Sequence, residues 1–290
     1  MTGVAMLADL RNTIGESPVW LDDPCALVWV DAERHEVFRR AAVDGRIERR
    51  PLTVPVTAII PNQRGGWVLV TQDGLFTADE GFEDVSPVVD PAAHDPRTRL
   101  NDGVADSHGR VWTGSMSRGT VEQPIGRLYV VDVDGSVTEV DDGFAVANGI
   151  ALSPDGTQLY ASDMFHARIR VYRVNAASGA IVERLPPIAT QGPGYPDGLA
   201  VDRYGMLWVA YWDGSRVECL GPSGQVVASV ELPVTQVTRA CLGGQDGRQL
   251  FITTARYELD ATELSRQPLA GAVFSVNDVA DCLPAATAGL

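Results

Sequence analysis

The chain has 290 residues, 45% of them hydrophobic, and its 38 acidic against 23 basic residues give a formal net charge of −15. That balance argues against nucleic acid or an anionic membrane as partner, since both call for clustered basic charge. No apolar run reaches the ~20 residues of a membrane span, and the opening MTGVAMLADLRN lacks the basic start and apolar stretch of a leader peptide.

In chain order, six apolar segments each carry one large aromatic: "VWV" with Trp29, "GWVLV" with Trp67, "RVWTG" with Trp112, "QLYAS" with Tyr160, "MLWVA" with Trp208 and "QLFIT" with Phe251. A turn rich in Gly, Asp or Pro precedes each one: "DDPCA", "NQRGG", "DSHGR", "SPDGTQ", "DRYGM" and "GQDGRQ". Most of these turns follow another short apolar segment, as in "GIALSPDG" and "GLAVDRYG". Strand, tight turn and strand make a hairpin signature. Further strands follow, such as "GRLYVVDVDGSVTEV" and "RIRVYRV". Four short strands every ~40–50 residues predict an all-β, six-bladed β-propeller of four-stranded antiparallel blades. It is expected as a single domain over 1–290. The opening residues should pair with the last blade as its closing strand. One segment, "LDATELSRQPLAG", reads as a short helix capped by Asp260. The cysteines Cys25, Cys219, Cys241 and Cys282 form no C-x-x-C. Reduced thiols in a soluble cytoplasmic protein, a monomer or weak homo-oligomer, account for them.

The innermost strand of a propeller blade lines the central channel. At the starts of the six first strands stand Glu16, Thr57, Asn101 with Asp102, Asn148, Asp197 and Arg239. Crowded carboxylates repel unless a cation joins them. An oxygen-only set suits a hard ion. Taken singly, "NDG", "NG" and "PDG" are ordinary turn sequences. Their recurrence in register, with Glu16 where no turn requires it, points instead to metal ligation at the channel mouth.

The motifs "GESPVW", "RLNDGVADSHGRVWTGSM", "ANGIALSPDGTQLYASD", "YPDGLAVDRYGMLWVAYWDGSRV" and "TTARYELDATELSRQPLAGAVFSV" resemble the gluconolactonase/regucalcin family, which includes luciferin-regenerating enzymes. The resemblance spans about residues 12 to 276, in the family's order. It implies a six-bladed propeller with one divalent metal and, in many members, hydrolysis of sugar lactones. By motif, the implied metal ligands are Glu16, Asn148 and Asp197, and the implied substrate-holding residues are Arg99 and Asn101. Asp102 is either an outer ligand or the turn residue of its loop. The sequence departs from the pattern at "GSMSRGTVEQ", where Arg118 and Gly119 occupy positions that are glutamates in animal regucalcins. Arg118 is therefore a candidate contact for an anionic substituent on the lactone.

The expected reaction is hydrolysis of a gluconolactone-like aldonolactone to the aldonic acid. The ion, Ca²⁺ first and Mg²⁺, Mn²⁺, Zn²⁺ or Fe²⁺ as alternatives, polarises the carbonyl. Asp197 is the expected general base, with Asp102 as the alternative. The competing readings are a phosphotriesterase-like or other esterase on the same metal, and a non-catalytic calcium-binding protein. His35, His94 and His108 lack ligand spacing, and His108 belongs to the "DSHGR" turn. His166 follows the second strand of the fourth repeat and is a candidate for the pocket wall. Tyr211 and Trp212 are candidates for the wall or the core.

Overall fold

The computed structural model describes residues 3–279 and 285–290, which build six four-stranded antiparallel sheets, the blades of a β-propeller fold. Strand β1 (Ala5–Ala8) comes first. Blade one holds β2 (Gly15–Leu21), β3 (Ala26–Asp31), β4 (Glu36–Ala41) and β5 (Ile47–Pro51). Blade two holds β6 (Val56–Pro61), β7 (Trp67–Thr71), β8 (Gly74–Ala78) and β9 (Val85–Val89). Blade three holds β10 (Thr98–Ala105), β11 (Val111–Ser117), β12 (Gly126–Val131) and β13 (Val137–Phe144). Blade four holds β14 (Ala147–Leu152), β15 (Gln158–Asp163), β16 (Arg168–Val174) and β17 (Ile181–Ala189). Blade five holds β18 (Tyr195–Val201), β19 (Leu207–Trp212), β20 (Arg216–Leu220) and β21 (Val226–Glu231). The sixth holds β22 (Val237–Gly243), β23 (Gln249–Thr254) and β24 (Val273–Val276), with helix α1 (Ala261–Arg266) between the last two. Its fourth strand is β1, paired antiparallel with β24, as the sequence led us to expect.

Position within the blade decides which residues a strand can carry. Second strands are covered on both faces: every residue of β3, β7 and β11 is buried. β3 and β7 read accordingly as runs of Val, Leu and Trp rather than as alternation, while β11, VWTGSMS, buries small polar residues beside its Trp. Fourth strands such as β5 and β9 are mostly exposed and tolerate "IERRP" and "VSPVV". All six repeat aromatics lie on second strands. In blades three and five, an aspartate six residues earlier fixes the indole. Asp106 Oδ2 accepts the Trp112 N–H at 3.1 Å and Asp202 Oδ2 that of Trp208 at 3.2 Å. The other oxygen of each takes backbone amides of the tight turn. This is the physical content of the repeated D-x-x-G-x-x-W.

The blades group into two compact units. One takes blades one, five and six (Met1–Pro51 and Gln191–Pro284). There the Trp20 ring stacks on Phe251 at 5.3 Å between centroids, joining blades one and six. Helix α1 is closed by a capping box in which Asp260 accepts the Glu263 amide and Glu263 accepts that of Asp260. The other unit takes blades two, three and four (Leu52–Thr190) together with Ala285–Leu290. In it the C-terminal segment lies against blades two and three. Ala288 pairs with Asn62 in a parallel bridge, and its side chain is fully buried among Leu75, Leu100 and Tyr129. Cys25, Cys219 and Cys241 are free thiols; Cys282 lies outside the described residues. Among the described residues, no helix is long and apolar enough to cross a membrane.

Candidate active site

The first strand of every blade loses register with its second strand once. The shifts fall between Glu16 and Val19, Val56 and Ala58, Leu100 and Asp102, Asn148 and Ile150, Pro196 and Leu199, and Val237 and Arg239. Such a bulge leaves a residue unpaired, bends the strand and re-aims its side chains. Glu16, Thr57, Asn101, Asp102, Asn148, Asp197 and Arg239 all lie at or beside one. The "NDG", "NG" and "PDG" stretches are therefore bulges within β10, β14 and β18, and the turn reading of Asp102 is corrected. Single-sequence alternation does not reveal a bulge, because one inserted residue looks like noise in the period.

In the unit of blades one, five and six, β22 packs against both β2 and β18. Glu16 is half-buried, and its Oε2 accepts the amide of Ser17 at 2.7 Å. Ser17 itself has φ 49°. The Thr238 hydroxyl donates to Gly15 O at 2.6 Å, which ties β22 to the residue before Glu16. Asp197 is 2% exposed. Behind it, Arg239 lies so tightly on Gly198 that a Cβ there would stand 2.4 Å from Arg239 Cγ. The glycine of "PDG" is thus required for close approach of the sixth blade.

In the unit of blades two, three and four, Asn148 is buried at the bulge of β14. Its Oδ1 accepts the Gly149 amide at 3.0 Å, and its Nδ2 lies 3.9 Å from Met164 Sδ. Asp102, also buried, accepts the Gly103 amide at 2.7 Å and, across blades, the Ile150 amide at 3.3 Å. It thereby fixes the strand that carries Asn148. Asn101 Nδ2 lies 3.5 Å from Ala147 O, and Arg99 Nη1 donates to Leu100 O at 3.1 Å. Blade three approaches closely here, since a Cβ on Gly114 would meet Ala147 O at 2.6 Å. The structure therefore brings Asn101, Asp102 and Asn148 together.

Arg118 is used differently. Its Nε donates to Thr98 O, and its Nη2 donates to Gln72 O and to Asp73 Oδ1 at 2.7 Å. The guanidinium pins the blade-two hairpin to blade three. His108 donates its amide to Asp106 Oδ1 in the turn. Tyr211 is core, with the Arg216 guanidinium 3.8 Å over its ring. His166 ends a 3₁₀ turn (Met164–His166) directly after β15. Its Nδ1 is 2.8 Å from Oδ1 of the fully buried Asp163. Burial alone would raise the Asp163 carboxyl, but Arg168 and Arg170 outweigh it and hold the group below its usual value. The sequence gives no signal for this anchor, because the arginine and histidine partners that hold the buried Asp163 meet it only through strand pairing and the turn after β15.

Over residues 14–256 the chain matches the family described as the SMP-30/Gluconolactonase/LRE-like region. The chain belongs to that family. Among its SMP-30/gluconolactonase relatives, regucalcin of Danio rerio is 31% identical over 269 residues, covering 92% of this chain and 91% of that protein. A 6-deoxy-6-sulfogluconolactonase of Pseudomonas putida is 30% identical over 265 residues, 91% of each chain. The crystal structure of a calcium-binding protein, regucalcin, from Agrobacterium tumefaciens str. C58 superposes with a TM-score of 0.92 at 24% identity. That match covers 100% of this chain and 98% of the other, so the two share one fold.

Proposed function

We propose that this member of the SMP-30/gluconolactonase family is a divalent-metal-dependent lactonase that opens an aldonolactone to its aldonic acid. The observation that carries the reading is the register: Glu16, Asn148 and Asp197, the ligands implied by the family's motifs, each stand at the bulge of a first strand. The donor set fits an ion chemically. Two carboxylates and one carboxamide offer only hard oxygen donors, suited to Ca²⁺ and compatible with Mg²⁺ or Mn²⁺. When bound, the ion supplies Lewis acidity toward the lactone oxygens.

The remaining chemistry belongs to the chain. Asp197 takes a proton from the water that adds to the lactone carbonyl. The bond from the carbonyl carbon to the ring oxygen then breaks, and that oxygen leaves as a hydroxyl on receiving the proton. Arg99 and Asn101 orient the sugar. Asp102 serves as a positioning residue, through the amides of Gly103 and Ile150, rather than as the base. A substrate with an anionic substituent is supported by the sulfogluconolactonase relative. Calcium as the ion is supported by the Agrobacterium structure, described as calcium-binding.

The test is titration calorimetry of chelator-stripped protein with Ca²⁺, Mg²⁺ and Mn²⁺. One ion per chain is expected, weakened at least tenfold in Glu16→Gln, Asn148→Ala and Asp197→Asn. Unchanged affinity in all three variants would refute the ligand set.

A further inference from the structure

Blade four carries a built group that the proposed ligand and base roles leave unused. Asp163 pairs with Ala147, the residue before Asn148, at the same end of the blade. Its two oxygens are divided between partners. Oδ2 accepts from Arg168 Nη2 at 2.8 Å and from Arg170 Nη2 at 2.8 Å, while Oδ1 accepts the Ala145 amide at 3.1 Å and faces His166 Nδ1. A carboxylate held between two guanidiniums stays ionised, so the imidazole must present its proton at Nδ1. That fixes ring orientation and tautomer and leaves Nε2 as the ring's other polar atom, on a side chain 39% exposed. Such an Nε2 can accept a hydrogen bond from a hydroxyl, or donate one when the ring is protonated. The turn that carries it also touches the candidate site, since Met164, two residues earlier, is the neighbour of the Asn148 carboxamide.

We propose that His166 is a specificity-determining residue, whose Nε2 hydrogen-bonds a hydroxyl of the polyol substrate while Asp163 holds the ring in place. The inference rests on the lactonase reading above. A short loop after the second strand thus selects hydroxylated lactones over bare ones. Asp163 and its two arginines act only through the imidazole.

The experiment compares metal-loaded wild type, His166→Ala, His166→Gln and His166→Asn on D-glucono-1,5-lactone and on δ-valerolactone, which lacks hydroxyls. Removing one hydrogen bond to substrate should cost about tenfold in kcat/KM. The loss should appear in KM for gluconolactone only, with δ-valerolactone unaffected. Gln places an amide near the Nε2 position and should recover part of the loss, whereas Asn, which mimics Nδ1, should not. Equal losses on both lactones, or no loss on either, would overturn the proposal. If wild type opens neither lactone, the lactonase reading fails by itself. The His166 C2–H resonance, assigned from the variants, then decides this proposal. A shift on adding gluconate or the lactone upholds the contact, and an unmoved resonance with both refutes it.

Discussion

Gly198→Ala is the substitution that most directly couples packing to chemistry. An added Cβ would stand 2.4 Å from Arg239 Cγ, 2.5 Å from Arg239 Cβ and 2.7 Å from Thr238 O. Carbon atoms in contact prefer about 3.5–4.0 Å, so the overlap exceeds an ångström. The obstructing atoms are the stem of a buried side chain and a backbone carbonyl, which cannot swing aside. Overpacking of this kind costs about 1–3 kcal/mol. For a chain of 290 residues, that corresponds to roughly 2–5 °C in Tm. The cheapest relief is a shift of β18, which carries Asp197 with it. A displacement of about 1 Å at a reacting group costs on the order of a hundredfold in rate. Thermal unfolding and lactonase assays on Gly198→Ala should therefore show a lowered Tm and a larger fall in kcat/KM. Gly3→Ala, with nothing within 4 Å of the new methyl, is the silent control. A Gly198→Ala protein with wild-type Tm and activity within twofold would refute the close-approach argument.

Asp102→Asn and Asp197→Asn should part company. The first keeps one oxygen to accept an amide but sets its NH2 against the other of the Gly103 and Ile150 N–H groups, costing about 1–3 kcal/mol, and should lower Tm with a modest rate loss. The second should keep its Tm and lose activity by orders of magnitude, and the opposite pattern in paired melts and assays would reverse the two roles. Arg97 holds the Asp95 carboxyl down to about 2. Because that folded value lies below the unfolded one near 4, the stabilisation is full above about pH 4 and is lost as pH falls toward 2. Arg97→Met should flatten this part of the acid limb of Tm against pH, and an unchanged limb would count against the ion pair. Deleting residues 287–290 removes the buried Ala288 and Leu290 side chains and uncovers the apolar cluster of Leu75, Leu100 and Tyr129 that they pack against. It should destabilise the protein by about 2–4 kcal/mol, read as a lower urea midpoint, and an unaltered midpoint would show that the docked segment contributes nothing.

Much of this architecture is written in local signals. Each tight turn plus aromatic strand announced a hairpin, and Asp106 and Asp202 stand six residues ahead of their tryptophans because one carboxylate serves both turn and indole. The α1 cap was legible for the same reason, since Asp260 and Glu263 act within three residues of each other. What was not legible depends on contacts between blades. The bulges look like irregular alternation, and the need for glycine at 198 arises from an arginine forty-one positions later, Arg239. Arg118 reads as a loop cation, yet its partners Gln72 and Asp73 belong to another blade. His166 acquires meaning only through Asp163, whose burial and arginine partners come from strand pairing.

Metal-dependent lactone opening is tested most directly by acid release from D-glucono-1,5-lactone and a panel of neutral and anionic lactones, measured on chelator-stripped protein with each divalent ion restored in turn. No turnover is expected without metal, with recovery on adding Ca²⁺ or another hard ion and loss of that recovery in Asp197→Asn. Tight metal binding with no lactone opened under any ion would contradict it and leave a calcium-binding protein.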